Sequence, residues 1–191
     1  MSAPHLLAFA GSTRRESFNK RLLPILSRGA ERAGARVTTL DLRDYPLPLY
    51  DGDLEAEQGV PAPALELRGL LKSSSGLLLA CPEYNSSISG VLKNTIDWVS
   101  RPVEGEDGLA GLRGKVVGLV SASPGALGGL RGLVHVRAIL GNLGCLVVPE
   151  QVAVGGAGKA FNESGELRDQ DLATRIEAVA EAVADLAACR T

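Results

Sequence analysis

Three short stretches of this chain gather residue types that can hold a ligand. The first is Gly11-Ser12-Thr13-Arg14-Arg15-Glu16-Ser17-Phe18-Asn19, set between an apolar run and a helical-period segment. It offers hydroxyls, an amide and guanidinium groups beside a helix start. A phosphate needs such groups: exposed N–H donors, the positive end of a helix dipole and a forked cation. An ordinary helix cap flanked by solvated arginines would carry the same residues. The second stretch is Cys81-Pro82-Glu83-Tyr84-Asn85-Ser86-Ser87-Ile88-Ser89-Gly90. Pro82, Tyr84 and Asn85 just past an apolar run would line a slot for a flat ligand, with backbone donors and an aromatic face. The alternative is a polar turn leading into an amphipathic helix. In the third, Ser121-Ala122-Ser123-Pro124-Gly125-Ala126-Leu127-Gly128-Gly129-Leu130-Arg131, glycines let backbone approach a ligand closely, or simply make a flexible connection.

Other chemistries find little support. The first loop lacks the second Gly and the Lys-Ser/Thr pair of an NTPase phosphate loop, and it is not a dinucleotide Gly fingerprint. His5 and His135 lie far apart, and no His/Cys/Asp group has metal-site spacing. No nucleophile or acid–base pair stands out at the strand ends. Net charge is −2, which argues against nucleic acid or an acidic membrane surface as a partner. Cys81, Cys145 and Cys189 read as buried or semi-buried reduced thiols. No apolar run reaches membrane-spanning length, and the start of the chain lacks a signal-peptide pattern, so the cytoplasm is the expected compartment.

Short apolar runs alternate with helical-period segments. Strands are expected at 5–10, 37–42, 76–81, 115–120 and from 145. Helices are expected at 17–33, 65–74, 89–100, 130–143 and 169–188. Pro24 should kink the first helix or delay its start. Residues 44–63 and 101–114 read as loops. Leu172, Ile176, Val179, Val183 and Leu186 mark the core face of the last helix, and Trp98 reads as core. Apolar strands without alternation belong to a parallel sheet covered on both faces. The expectation is therefore one α/β domain over 1–191, a flavodoxin-like doubly wound five-stranded parallel sheet of order 2-1-3-4-5. Its ligand should sit beyond the strand carboxyl ends, where the three loops meet.

Together, Gly11-Ser12-x-Arg14-x-x-Ser17-x-Asn19, Pro82-Glu83-Tyr84-Asn85, Leu92-Lys93-Asn94-x-Ile96-Asp97-Trp98 and Gly128-Gly129-x-Arg131 resemble the NADPH-dependent FMN reductase family. That family includes quinone, chromate and azo-dye reductases. The resemblance extends over Leu47-Pro48-Leu49-Tyr50-Asp51 and Phe161-Asn162-Glu163-Ser164-Gly165. It implies FMN as cofactor, with NADPH or NADH as co-substrate. Ser12, Arg14, Ser17, Phe18 and Asn19 would cradle the phosphate. Pro82, Glu83, Tyr84 and Asn85 would edge the isoalloxazine, and Ser121, Ala122 and Ser123 would border the ring and ribityl chain. No side chain need be catalytic, because the flavin carries the chemistry. The implied activity is two-electron ping-pong reduction of quinones, flavin or similar small acceptors by a homodimer or homotetramer. A flavodoxin-type electron carrier or a non-catalytic FMN-binding protein is the alternative. Ser89 stands where the family commonly has Pro, which predicts a looser turn before the following helix. Residues 44–63 are expected to supply part of a lid, and 101–114 to lie beside the site.

Overall fold

A computed structural model describes residues 3–190; positions 1, 2 and 191 of the expected domain lie outside the described residues. The elements in chain order are β1 (His5–Ala10), α1 (Leu23–Arg32), β2 (Arg36–Leu40), α2 (Gly52–Gln58), α3 (Ala62–Ser73) and β3 (Gly76–Ala80). A hairpin of β4 (Glu83–Tyr84) and β5 (Ser87–Ile88) precedes α4 (Gly90–Val99). Then follow β6 (Val116–Ala122), α5 (Leu130–Asn142), β7 (Leu146–Val154), α6 (Ala157–Ala160) and α7 (Gln170–Ala188).

The main sheet has the order β2-β1-β3-β6-β7 with every neighbouring pair parallel. Setting the hairpin strands aside, this is the expected 2-1-3-4-5 arrangement, and the flavodoxin-like fold is borne out. Its central strands are almost wholly apolar because each face carries its own core. In β1, Leu6, Ala8 and Ala10 point to the layer of α1 and α7, while Leu7 and Phe9 point to the layer of α3, α4 and α5. No helix among the described residues is long and apolar enough to cross a membrane.

Several local expectations are corrected. The helix expected from Ser17 begins later: a 3-10 turn at Lys20–Leu22 leads into α1, with Pro24 in its first turn, where a missing N–H is harmless. Residues 44–63 are not all loop. Asp51 caps α2 by accepting from the Asp53 N–H, and α3 starts at Ala62. That stretch is also fastened to α4. The buried Trp98 donates its indole N–H to the Pro48 carbonyl at 2.9 Å, and Asn94 Nδ2 donates to the same oxygen at 2.8 Å. Residues 101–114 connect the end of α4 to the start of β6, so they lie at the opposite pole of the sheet from the strand carboxyl ends. Arg68, almost wholly buried, holds them there by donating to the carbonyls of Arg101, Asp107 and Gly108. Leu186 is exposed rather than core, as is Cys189.

The packing of α1 on α7 depends on one glycine. A Cβ on Gly29 would lie 2.4 Å from the Glu177 carbonyl oxygen and 2.7 Å from its Cα. Arg28 and Arg32 flank that contact, reaching the Glu177 carboxylate at 3.3 and 2.8 Å. Gly29→Ala should therefore destabilise the fold by about 1–3 kcal/mol through overpacking, more than the helix-propensity gain of about 1 kcal/mol can offset. Urea denaturation should show a lower midpoint with an unchanged slope.

Candidate cofactor site

Beyond the carboxyl ends of β1, β3 and β6 lies a cleft of about 190 Å³, lined by Arg14, Ser17, Phe18, Asn19, Pro82, Glu83, Tyr84, Ala122, Ser123 and Pro124. The three loops singled out in the sequence meet there. Ser12, Asn85 and Ser121 stand behind the lining and shape the loops that form it.

At one end of the cleft the groups suit an anion. The Ser12 hydroxyl accepts from the Arg14 N–H at 3.2 Å, which folds the loop back on itself. Among the described residues the N–H groups of Phe18 and Asn19, just ahead of the 3-10 turn, meet no acceptor within the chain. Among the described residues no hydrogen bond engages the Ser17 hydroxyl either; the residue is largely buried, but its hydroxyl oxygen is not one of the enclosed polar atoms. The Arg14 guanidinium reaches only the Glu16 carbonyl, at 3.5 Å, and pairs with no carboxylate among the described residues. Phe18 is held by a parallel stack on Phe161, with ring centroids 6.3 Å apart. Asn19 differs from its neighbours because both ends of its carboxamide are engaged within the chain. Nδ2 donates to the Ala122 carbonyl at 2.9 Å and Oδ1 accepts from the Ala122 N–H at 3.0 Å. Toward a ligand it has its backbone N–H to offer.

The other end of the cleft is walled by the β4–β5 hairpin. Asn85 and Ser86 both take positive φ, 49° and 66°, as the tight turn between right-twisted strands requires. Tyr84 is half exposed at its rim. Beneath it, burial pushes the Cys81 thiol up to about 12, so it is protonated at neutral pH and unsuited to act as a nucleophile. The Glu83 carboxylate accepts from Arg131 and from the Gly132 N–H.

Ser121 anchors the third loop by donating to the Gly128 carbonyl at 2.6 Å. Gly128 and Gly129 take φ of 63° and 97°, and a Cβ on Gly129 would lie 2.7 Å from the Ser121 hydroxyl oxygen. Both positive φ and close approach thus demand glycine here. Sequence reasoning gave no role to Pro124, which lines the cleft, or to Phe161, which backs Phe18. It also left unassigned the Arg131–Glu83 pairing, which joins residues 48 apart in the chain.

The turn before α4 is not loosened by Ser89. Its hydroxyl donates to the Gly11 carbonyl at 2.6 Å and accepts from the Leu92 N–H at 3.2 Å, capping α4 and tying it to the first loop. At φ −68° the backbone would also suit Pro, but the hydroxyl supplies two bonds that Pro cannot.

A parallel sheet with a cleft of this kind at its reversal point defines a flavodoxin-like fold, and the relatives of this chain make it an FMN-dependent NAD(P)H oxidoreductase. The chain belongs to the NADPH-dependent FMN reductase family, whose model matches residues 4–159. It is 34% identical over 170 residues to a quinone reductase of Escherichia coli strain K12, covering 86% of this chain and 85% of that protein. It is 38% identical over 162 residues to a quinone reductase of Pseudomonas putida, covering 84% and 82% of the two chains. Among solved structures it resembles FerB, a flavoenzyme NAD(P)H:(acceptor) oxidoreductase from Paracoccus denitrificans. That likeness has a TM-score of 0.80 at 26% identity and covers 97% of each chain.

Replacing Ser89 by Ala removes both its bonds and leaves the Gly11 carbonyl without its partner. The expected loss is about 1–2 kcal/mol of stability, read by chemical denaturation. An unchanged midpoint would show that the junction between the first loop and α4 rests on packing alone.

Proposed function

We propose that the cleft binds FMN and that this chain reduces small acceptors, quinones foremost, at the expense of NADPH or NADH. The observation that carries the reading is the anion-binding end: among the described residues, N–H groups and a hydroxyl without a partner and a guanidinium without a carboxylate, all beside a helix start. Ser12, Arg14, Ser17, Phe18 and Asn19 would hold the phosphate, with Ser12 and Asn19 acting through the loop shape they impose. Pro82, Glu83, Tyr84 and Asn85 would edge the isoalloxazine through their backbone. Ser121, Ala122 and Ser123 would lie along the ring and ribityl chain.

FMN held by these loops would supply two-electron hydride chemistry between reduced nicotinamide and the acceptor. The protein's part is to bind, orient and shield. A cleft of about 190 Å³ is smaller than a typical ligand pocket and would leave part of a flat cofactor uncovered. That uncovered part would admit the nicotinamide and then the acceptor in turn, hence ping-pong kinetics. It also supports a homodimer or homotetramer in which a second copy completes the walls. We further propose that residues 1–191 act as one flavin-binding domain in the cytoplasm, a reading supported by the unpaired buried thiols of Cys81 and Cys145.

The test separates phosphate from ring. Arg14→Ala should weaken FMN binding by roughly ten- to hundredfold, the worth of a charge-assisted contact, and leave riboflavin nearly unaffected. In steady state, NADPH oxidation with a quinone should give parallel double-reciprocal lines. Equal losses for FMN and riboflavin would overturn the phosphate assignment, and intersecting lines the ping-pong scheme.

A further inference from the structure

Helix α5 begins without a cap of its own. Its N-cap position is Gly129, in a left-handed conformation and with no side chain to accept from the first-turn N–H groups. Such groups need a partner, and a negative charge there also meets the favourable end of the helix dipole. Glu83 supplies both from another part of the chain. Its Oε2 accepts from the Gly132 N–H at 3.1 Å, in the first turn of α5. Its Oε1 accepts from Arg131 Nε and Nη2 at 2.9 and 2.6 Å. The Glu83 side chain is 8% exposed while that of Arg131 is 55% exposed, so the carboxylate is the enclosed member of the pair.

The same helix meets the hairpin at two further points. A Cβ on Gly132 would lie 3.3 Å from both the Glu83 Cβ and the Ser87 carbonyl oxygen, so the absence of a side chain sets the distance of approach. One turn on, the His135 ring Nδ1 is 2.9 Å from the Ser87 hydroxyl oxygen. Burial on its own would raise the pKa of the Glu83 carboxyl. The Gly132 amide and the Arg131 guanidinium outweigh it and hold the group below its ordinary value. The bonds are therefore present at neutral pH and are lost only as the pH falls through that depressed value.

We infer that Glu83 is a positioning residue: it caps α5 from the hairpin, and through this clip fixes the backbone edge that faces the isoalloxazine. The inference rests on the FMN reading above and deepens it. It assigns the Glu83 side chain no contact with the flavin, leaving that to the backbone, and gives α5 the task of backing the hairpin. Because the clip acts at the ring end of the cleft, its loss should affect every flavin alike, with or without a phosphate.

The experiment uses the full chain carrying Glu83→Gln, which keeps the shape and removes the charge. Flavin-fluorescence titration should show FMN and riboflavin weakened by the same factor, about tenfold or more. Hydrogen exchange should become faster both at the Gly132 amide and at the amides of residues 84–88. Arg131→Ala, at an exposed position, leaves the Gly132 bond and should produce a smaller change of the same kind; it also serves if Glu83→Gln folds poorly. Faster exchange at Gly132 with unaltered riboflavin binding would overturn the inference, since the cap would then serve the helix alone. Unaltered exchange at Gly132 would overturn it too. A wild-type chain that binds no FMN would instead sink the functional reading, while the exchange data would still judge the clip.

Discussion

The carboxamide of Asn19 holds the two long walls of the cleft together. It is buried and bonded in both directions to the backbone of Ala122, the last residue of β6. On the β7 side Ala122 pairs with Val154, but on the other side β3 has already ended at Ala80. Asn19 therefore does for Ala122 what a continuing strand would do, satisfying one N–H and one carbonyl. Without it both groups would be left buried and unpaired, at about 1–3 kcal/mol each. The loop after β1 cannot drift from the loop after β6 while these bonds persist. The gap they span is where the ligand would lie.

Around this tie the loops use up their own polar groups. Ser12 bonds within the first loop, Ser89 joins that loop to α4, Ser121 fixes the third loop, and Glu83 fastens the hairpin to α5. Among the described residues no buried side-chain nitrogen or oxygen lacks a hydrogen-bond partner. Against that background, among the described residues, the Arg14 guanidinium without a carboxylate, the Ser17 hydroxyl, and the N–H groups of Phe18 and Asn19 stand out. They cluster at one end of one cleft. A site whose frame is satisfied and whose free donors converge is preorganised, so binding need not be preceded by rearrangement.

The sheet order and the meeting of the three loops were legible in the sequence because both follow from local pattern. Uninterrupted apolar runs mark strands covered on both faces, and ligand-type residues fall where such runs end. Pro24 correctly announced a delayed helix. What escaped were features set by tertiary contact. Residues 44–63 carry prolines and acids that suggest loop, yet Asp51 caps a helix there and Trp98 and Asn94 hold the stretch against α4. Residues 101–114 are glycine-rich, but the buried Arg68 fastens them at the far pole. Leu186 keeps core-face spacing and is nonetheless exposed near the end of α7. Ser89 was read only as a missing proline because nothing nearby in sequence discloses its bond to Gly11, 78 residues away. Glu83 and Arg131 could not be paired for the same reason.

The central claim is that these loops form one flavin site open to reduced nicotinamide. It is tested most directly by loading the purified chain with FMN and adding NADPH in the absence of oxygen. One equivalent of NADPH should bleach one equivalent of bound flavin, and a quinone added afterwards should restore the yellow colour. A chain that takes up no FMN, or whose bound flavin stays oxidised under excess NADPH and NADH, would contradict it.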